Sequence, residues 1–310
     1  MTAANGELKQ VSDEEKFLFD IQGFLILRGA IDRDLIGALD QAVVENEALD
    51  HDESWADGLP VVTAQHFIKD TNLEHQVRLN GLPRLDPIFD QLIAHPAILP
   101  YLREFIGEPQ LVNTWSISKY EGRAATGWHN GLPTEQYTVR DGVIRSPMVN
   151  VVTMLTPNRS GDGCFAVIPG SHKRNLSLDY NRWAMAGLET PGALEITGAE
   201  GDVMIFTETL SHTGTAKTNS RRRTTLQYNH VHRDRACPMW IITMSGITGC
   251  RRRFASASQR HNEISPAGWT ILCPIAPSLA PPGSMTEKRA SSAALDVPYV
   301  NQKEIDYEFP

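Results

Sequence analysis

Residues 201–214 have the sequence GDVMIFTETLSHTG, in which a Gly-Asp turn precedes a short apolar run and then His212. The apolar run, residues 203–206, has the length and composition of a buried strand. Other β-like runs separated by turn residues lie at 111–120, 148–155, 164–168 and 224–231. Many short strands joined by Gly and Pro turns favour a sandwich or barrel over alternating β-α units. The sequence therefore predicts a mainly β protein.

Helical patterns flank these strands. A helix cap is expected at Ser12, a buried strand at 24–27, a second helix from Asp32, and helical spacing over 85–106 interrupted by prolines, with a helical insertion at 176–187. We predict a single domain with three parts. These are an N-terminal helical flank packing on the barrel (1–110), a catalytic β core (111–235) and a C-terminal extension serving as lid, arm or oligomer contact (236–310).

The composition is that of an ordinary globular chain. Of its 310 residues 41% are hydrophobic and 21% charged, and no apolar run approaches the roughly 18 residues of a membrane span. The net charge of −8 argues against nonspecific nucleic-acid binding. The four cysteines lie far apart without a Cys-X-X-Cys pair, which disfavours a zinc knuckle or a disulfide scaffold. No secretory signal is visible, so we expect a cytoplasmic protein that binds neither membrane nor nucleic acid; its oligomeric state stays open.

Two histidines and an arginine form the candidate site. His129 lies in Gly127-Trp128-His129-Asn130-Gly131, His212 in Leu210-Ser211-His212-Thr213-Gly214, and Arg223 follows His212 by eleven residues. Two neutral imidazoles on facing strands suit a mononuclear ferrous ion that leaves positions open for a co-substrate and O₂. The planar guanidinium of Arg223 matches the far carboxylate of a 2-oxo acid through two parallel hydrogen bonds. The pattern therefore suits a mononuclear Fe(II) site that binds a 2-oxo acid and O₂.

Four other residues are weaker candidates. Thr225 lies two residues after Arg223, so in a strand its hydroxyl faces the same side and can reach the same carboxylate. Asn150 is a polar residue in an apolar strand and needs a hydrogen-bond partner, which a co-substrate would provide. Trp115 and Trp128 are candidates for the substrate pocket, although aromatic residues in a β core are usually packing residues.

These motifs carry a family resemblance. His129, Gly163-Cys164-Phe165-Ala166-Val167-Ile168-Pro169-Gly170-Ser171-His172-Lys173, the Gly201-Asp202 turn, His212 and Arg223 together resemble the phytanoyl-CoA dioxygenase-like branch of the Fe(II)/2-oxoglutarate oxygenases. The resemblance runs from about residue 15 to residue 232. It implies a double-stranded β-helix, a cupin-like jelly roll, with the metal at its open mouth. It also implies that 2-oxoglutarate is decarboxylated to succinate and that a ferryl species abstracts hydrogen from a C–H bond of a small metabolite or natural-product intermediate.

Gly131 departs from the family pattern, which has a carboxylate two residues after the first histidine. Three interpretations stay open. The vacant position accepts chloride, because the related aliphatic halogenases carry Gly or Ala there. Alternatively, water or a carboxylate from elsewhere in the chain, such as Glu135 or Asp141 in the following loop, completes the site of an enzyme that hydroxylates, desaturates or rearranges its substrate. In the third interpretation the metal site is degenerate and the protein is a non-catalytic β-helix that binds a ligand.

Overall fold

Two antiparallel β-sheets form the centre of the molecule. The computed structural model describes residues 10–49, 69–70, 74–177, 179–183 and 186–235. In chain order the strands are β1 (Phe24–Leu27), β2 (Lys69–Asp70), β3 (Gln76–Asn80), β4 (Pro109–Lys119), β5 (Thr138–Arg140), β6 (Val143–Arg145), β7 (Met148–Met154), β8 (Phe165–Val167), β9 (Leu194–Ile196), β10 (Val203–Thr207), β11 (His212–Gly214) and β12 (Arg223–His232). The helices are α1 (Asp13–Gln22), α2 (Arg33–Ala48), α3 (Leu99–Ile106) and the single turn α4 (Tyr180–Trp183).

The larger sheet has seven strands in the order β1-β10-β7-β12-β4-β3-β2, and the smaller has three in the order β11-β8-β9. A separate hairpin joins β5 to β6. Side chains from both sheets, among them Phe24, Val152, Met204, Val167 and Ile196, pack into one apolar cluster. The two sheets therefore face each other as a jelly roll, and the prediction of a mainly β fold with helical flanks is confirmed.

Alternation along β12 separates two environments. Leu226 and Tyr228 join the larger apolar cluster, which also contains residues of α2 and α3. Arg223 and Thr225 point to the opposite face, because successive side chains of a strand alternate. That face is the interior of the jelly roll, since Arg223 lies over the ring of Phe165 on the smaller sheet. The helices thus cover the outside of the large sheet, while the polar face of β12 lines the barrel.

Capping residues in the sequence set the ends of the two N-terminal helices. Ser12 and Glu15 form a reciprocal capping box at the start of α1. The helix ends at Gly23, whose φ of 84° is a left-handed conformation that favours glycine. Asp32 caps α2 by accepting a hydrogen bond from the Leu35 N–H. The helices predicted from Ser12 and Asp32 are therefore confirmed.

The five strand predictions in the core are confirmed within a few residues by β4, β7, β8, β10 and β12. The 85–106 pattern divides into a 3₁₀ segment (Pro87–Leu92) and α3, as its internal prolines require. The predicted insertion at 176–187 contains only the single turn α4. The large sheet contains β1, β2 and β3 from the predicted N-terminal flank together with strands of the predicted β core. The predicted C-terminal extension, 236–310, lies outside the described residues. None of the helices in the described part of the chain is long and apolar enough to cross a membrane.

Candidate metal and co-substrate site

His129 and His212 lie directly opposite each other at one end of the barrel. The backbone N–H of His129 donates to the His212 carbonyl (3.0 Å), and the N–H of His212 donates to the His129 carbonyl (2.8 Å). Directly paired residues of antiparallel strands project their side chains to the same face. The imidazole centroids are accordingly 4.2 Å apart. His212 is buried, whereas His129 lies at the exposed mouth.

Each imidazole is fixed in one tautomer by the backbone carbonyl of the residue two positions earlier in the chain. Nδ1 of His129 lies 2.9 Å from the Gly127 carbonyl, and Nδ1 of His212 lies 2.8 Å from the Leu210 carbonyl. A carbonyl oxygen only accepts, so Nδ1 carries the proton in both rings. Each Nε2 therefore keeps its lone pair and has no partner in the described part of the chain. This is the arrangement in which histidine binds a metal ion.

The surroundings hold both rings neutral. Burial lowers the pKa of His212 to about 4. Desolvation by the surrounding protein, and then the neighbouring His212, lower the pKa of His129. Because a protonated imidazole cannot coordinate a metal, both groups are ready to bind one at neutral pH.

The Arg174 guanidinium forms hydrogen bonds with both of the segments that carry the histidines. Its Nη1 donates to the hydroxyl of Ser211 (3.1 Å), next to His212, and its Nη2 donates to the side-chain oxygen of Asn130 (3.2 Å), next to His129. The Ser171 hydroxyl accepts from the Ser211 N–H (2.8 Å). The turn after β8 therefore positions both imidazoles, a role that the sequence prediction did not assign to Arg174.

Arg223 lies deeper in the barrel with one side of its guanidinium unpaired. Nε donates to the side-chain oxygen of Asn158 (3.2 Å), and Nη2 is buried without a hydrogen-bond partner in the described part of the chain. Burial lowers the pKa of Arg223 to about 10, so the group still carries its charge at neutral pH. The buried hydroxyl of Thr225 likewise has no partner among the described residues. Unpaired buried donors on one strand face indicate an anionic ligand.

Lys119 is a second buried cation beside Arg223, directly across the β12–β4 pair. Its Nζ donates to the Gly163 carbonyl (2.9 Å). Burial, and then the charge of Arg223, lower the pKa of Lys119 to about 7. The sequence prediction did not include Lys119. The available signal was that Lys119 lies in the predicted strand 111–120, at a position that alternation places on the inward face.

Asn150 has protein partners in this structure. Its amide nitrogen donates to Oε2 of Glu208, and its side-chain oxygen accepts from the amide of Asn229. The polar residue in the apolar strand β7 is thus satisfied by a chain of side chains, while its contact with a co-substrate stays a prediction.

A carboxylate fills the space beside Gly131, and it belongs to Glu208. A Cβ added to Gly131 would overlap Glu208 Oε1 and lie 2.9 Å from its Cδ. The two loop carboxylates considered from the sequence lie in exposed positions: Glu135 accepts from the Thr134 hydroxyl (3.3 Å), and Asp141 forms the left-handed tip of the β5–β6 hairpin. Glu208 was missed, although an acidic residue directly after an apolar strand and four residues before His212 was a visible signal.

The two tryptophans differ in their surroundings. Trp128 is buried, and its indole N–H donates to the Gly187 carbonyl (3.3 Å). Trp115 pairs with Gln227 in the β4–β12 register, which places it on the same sheet face as Arg223, and the Arg78 guanidinium lies 4.4 Å above its ring. The indole N–H of Trp115 has no partner in the described residues. A role in substrate binding stays a prediction for both.

The residues fit iron and 2-oxoglutarate. Two unpartnered Nε2 atoms would hold the metal, and the unpaired Nη2 of Arg223 with the Thr225 hydroxyl would hold the far carboxylate. The ring of Phe165 lies between the two parts, with its centroid 6.4 Å from that of His212 and 5.5 Å from the Arg223 guanidinium carbon. Within the described ranges no three His, Cys, Asp or Glu side chains already form a metal cage. The third ligand must therefore come from a rearranged side chain, the co-substrate or solvent.

Solved structures of similar fold include proteins with bound iron or nickel. HygX from Streptomyces hygroscopicus, solved with nickel, 2-oxoglutarate and hygromycin B, is 18% identical with a TM-score of 0.61, and the match covers 72% of this chain and 88% of HygX. EctD from S. alaskensis with bound Fe is 20% identical with a TM-score of 0.55, covering 72% and 77% of the two chains. At these identities the likeness establishes the fold, a cupin-like jelly roll.

Two characterised relatives are more similar in sequence. The dioxygenase LolE1 of Epichloe uncinata is 25% identical over 244 residues, covering 77% of this chain and 89% of LolE1. The 1-deoxypentalenic acid 11-beta-hydroxylase of Streptomyces exfoliatus is 28% identical over 211 residues, covering 63% and 71%. The phytanoyl-CoA dioxygenase (PhyH) family model matches residues 19–225, a span that includes both histidines, Glu208 and Arg223. This chain belongs to the phytanoyl-CoA dioxygenase family.

Proposed function

We propose that this protein is a non-haem Fe(II)/2-oxoglutarate-dependent oxygenase that oxidises a C–H bond of a small molecule. The observation that carries the proposal is the pairing of His129 and His212, whose unpartnered Nε2 atoms lie in the same barrel as the unpaired Nη2 of Arg223. A metal site beside a buried unpaired cation is the arrangement that a chelating 2-oxo acid requires.

Each residue has a separate task in this proposal. His129 and His212 hold iron through Nε2, and the carbonyls of Gly127 and Leu210 keep the rings in the required tautomer. Arg223 and Thr225 bind the far carboxylate of 2-oxoglutarate and so direct its 2-oxo acid end toward the histidines. When bound, iron and O₂ would supply the oxidative decarboxylation of 2-oxoglutarate to succinate and CO₂ and the oxidation of the substrate. Apolar side chains around His212, including Phe206 with a ring centroid 4.9 Å away, exclude water from the inner side of the site.

The relatives favour a small substrate and hydroxylation. One is named as the hydroxylase of 1-deoxypentalenic acid, and HygX binds hygromycin B. We infer that this protein acts on a small metabolite or natural-product intermediate that enters at the exposed His129 side of the barrel.

Halogenation is the less favoured reaction. A chloride ligand would need the space beside Gly131, which Glu208 fills in this structure. A carboxylate there would repel a second anion. This observation supports an oxygenase over a halogenase.

Anaerobic titration tests the proposal. Addition of Fe(II) and 2-oxoglutarate to the wild-type protein should produce the weak visible charge-transfer band of the chelate, and subsequent O₂ should release succinate even without the substrate. His212→Ala should abolish the band. The matched control is His75→Ala, because the His75 side chain lies on the surface and pairs with Glu74. Absence of the band in the wild-type protein would refute the proposed function.

A further inference from the structure

Glu208 lies opposite Gly131 on the segment that leads to His212. The N–H of Gly131 donates to the Glu208 carbonyl (3.2 Å), next to the reciprocal hydrogen bonds between His129 and His212. The N–H of Glu208 donates to the Met148 carbonyl (3.1 Å). The backbone N–H and the carbonyl of Glu208 are therefore both hydrogen-bonded, and Glu208 faces Gly131 across the same two segments that carry the histidines.

The Glu208 side chain extends into the space that a residue other than glycine would occupy at position 131. The three heavy atoms nearest to an added Cβ are Oε1, Cδ and Cγ of Glu208. In the family pattern that space belongs to the carboxylate two residues after the first histidine. Here a carboxylate is still present, but it comes from the other segment.

One carboxylate oxygen of Glu208 has no side-chain partner in the described part of the chain. Oε2 accepts a hydrogen bond from the Asn150 amide, which Asn229 holds from the other side. Oε1 points into the Gly131 space. No basic side chain forms an ion pair with Glu208 in the described part of the chain. A partly buried carboxylate without a paired cation is costly unless a metal ion or a proton compensates its charge.

We propose that Glu208 is the third protein ligand of the iron held by His129 and His212, replacing the missing carboxylate of position 131. This inference rests on the proposed function, since it concerns the same metal. Asn150 then acts as a positioning residue that orients the ligand carboxylate through Oε2, as hydrogen-bonded partners of metal ligands commonly do. In this assignment the Glu208 carboxylate would turn from the Gly131 space toward the two histidines when a metal binds.

Metal binding without turnover tests the assignment. Co(II), which reports ligand number and type through its visible spectrum, is titrated into wild-type protein, Glu208→Gln and the matched control Glu135→Gln. Glu135 is an exposed loop carboxylate, so its substitution removes the same charge away from the barrel interior. We expect Glu208→Gln to weaken Co(II) binding by roughly 10- to 100-fold or more and to change the spectrum, and Glu135→Gln to leave both unchanged. Wild-type affinity and spectrum in folded Glu208→Gln would overturn the assignment.

A second variant separates ligand loss from structural damage. Gly131→Asp combined with Glu208→Ala moves the carboxylate to the family position and removes the side chain that would clash with it. We expect this double variant to bind Co(II) more tightly than Glu208→Ala alone. Equal binding would mean that replacing Glu208 weakens Co(II) binding by disturbing the structure, and it would overturn the assignment. Chloride should leave the wild-type Co(II) spectrum unchanged, and a chloride-dependent change would instead support a halide ligand.

The two proposals fail differently. If the wild-type protein shows neither Co(II) binding that depends on His212 nor the 2-oxoglutarate chelate, the proposed function fails. If the wild-type protein binds both and Glu208→Gln binds them equally well, only the assignment of Glu208 fails.

Discussion

Replacement of Arg223 by lysine tests the co-substrate site most directly. Lysine keeps the positive charge but cannot form the planar two-pronged contact of a guanidinium. The side chain is buried at the start of β12, and Nε is already engaged by Asn158, whereas Nη2 is unpaired. The co-substrate carboxylate can therefore receive one or two hydrogen bonds from this group.

The expected loss follows from these contacts. A hydrogen bond to a charged group contributes about 1.5–3 kcal/mol. Arg223→Lys removes one such bond, and about 1.4 kcal/mol corresponds to a tenfold change in affinity. We therefore expect 2-oxoglutarate to bind roughly 10- to 150-fold more weakly, with little change in the affinity for the metal alone.

The assay is an anaerobic titration of 2-oxoglutarate into Fe(II)-loaded protein, followed through the charge-transfer band. The matched control is Arg221→Lys, because Arg221 is half-exposed and pairs with Asp162 at 3.0 Å. Less than a threefold change in Arg223→Lys, or an equal loss in Arg221→Lys, would refute the assignment of the co-substrate cation.

Three further outcomes are expected. Gly23→Ala should lower the stability by about 1–3 kcal/mol, because φ is 84° and the new Cβ would lie 2.6 Å from a ring nitrogen of His172; an unchanged melting temperature would contradict this. Arg174→Met should weaken Co(II) binding by about tenfold, because it removes the hydrogen bonds to Ser211 and Asn130, the residues next to the two histidines. Lys173→Met removes only a surface ion pair and should leave Co(II) binding unchanged. The metal-free protein should lose stability as the pH falls from about 6.5 toward 4, because burial lowers the folded-state pKa of His212 to about 4 and the unfolded state then binds more protons. The prediction is wrong if the urea midpoint does not decrease when the pH is lowered from 7 to 5. It is also wrong if the stability of His212→Asn depends on pH as steeply as that of the wild-type protein.

The fold could be predicted because its main strands are short apolar runs bounded by turn residues. Val203–Thr207 is buried on both faces and is recognisable from composition alone. Six of the described strands were missed, and their signals are weaker: for example, β3 (Gln76–Asn80) mixes polar and apolar residues, and β11 (His212–Gly214) has only three residues. Such strands form because a neighbour supplies their hydrogen bonds, which local sequence does not report.

The candidate site was predictable to the extent that its residues follow an ordered motif. Spacing pointed to His129, His212 and Arg223, and the structure brings the two histidines together. Glu208 escaped prediction because its relation to Gly131 depends on which segments pair, and the two carboxylates that the interpretation named both lie in the loop after Gly131. Lys119 escaped for a similar reason, since only the β4–β12 register places it beside Arg223.

The reciprocal backbone hydrogen bonds between His129 and His212 make metal binding depend on the folded state of the protein. The two histidines lie far apart in the chain, so the site exists only after the loop between them has closed. An ion that binds the native state alone stabilises it by mass action, by about 2.7 kcal/mol at a hundredfold excess over its dissociation constant. With iron as that ion, metal starvation would shift the population toward unfolded chains and proteolysis, so iron supply would govern the abundance of the protein as well as its turnover.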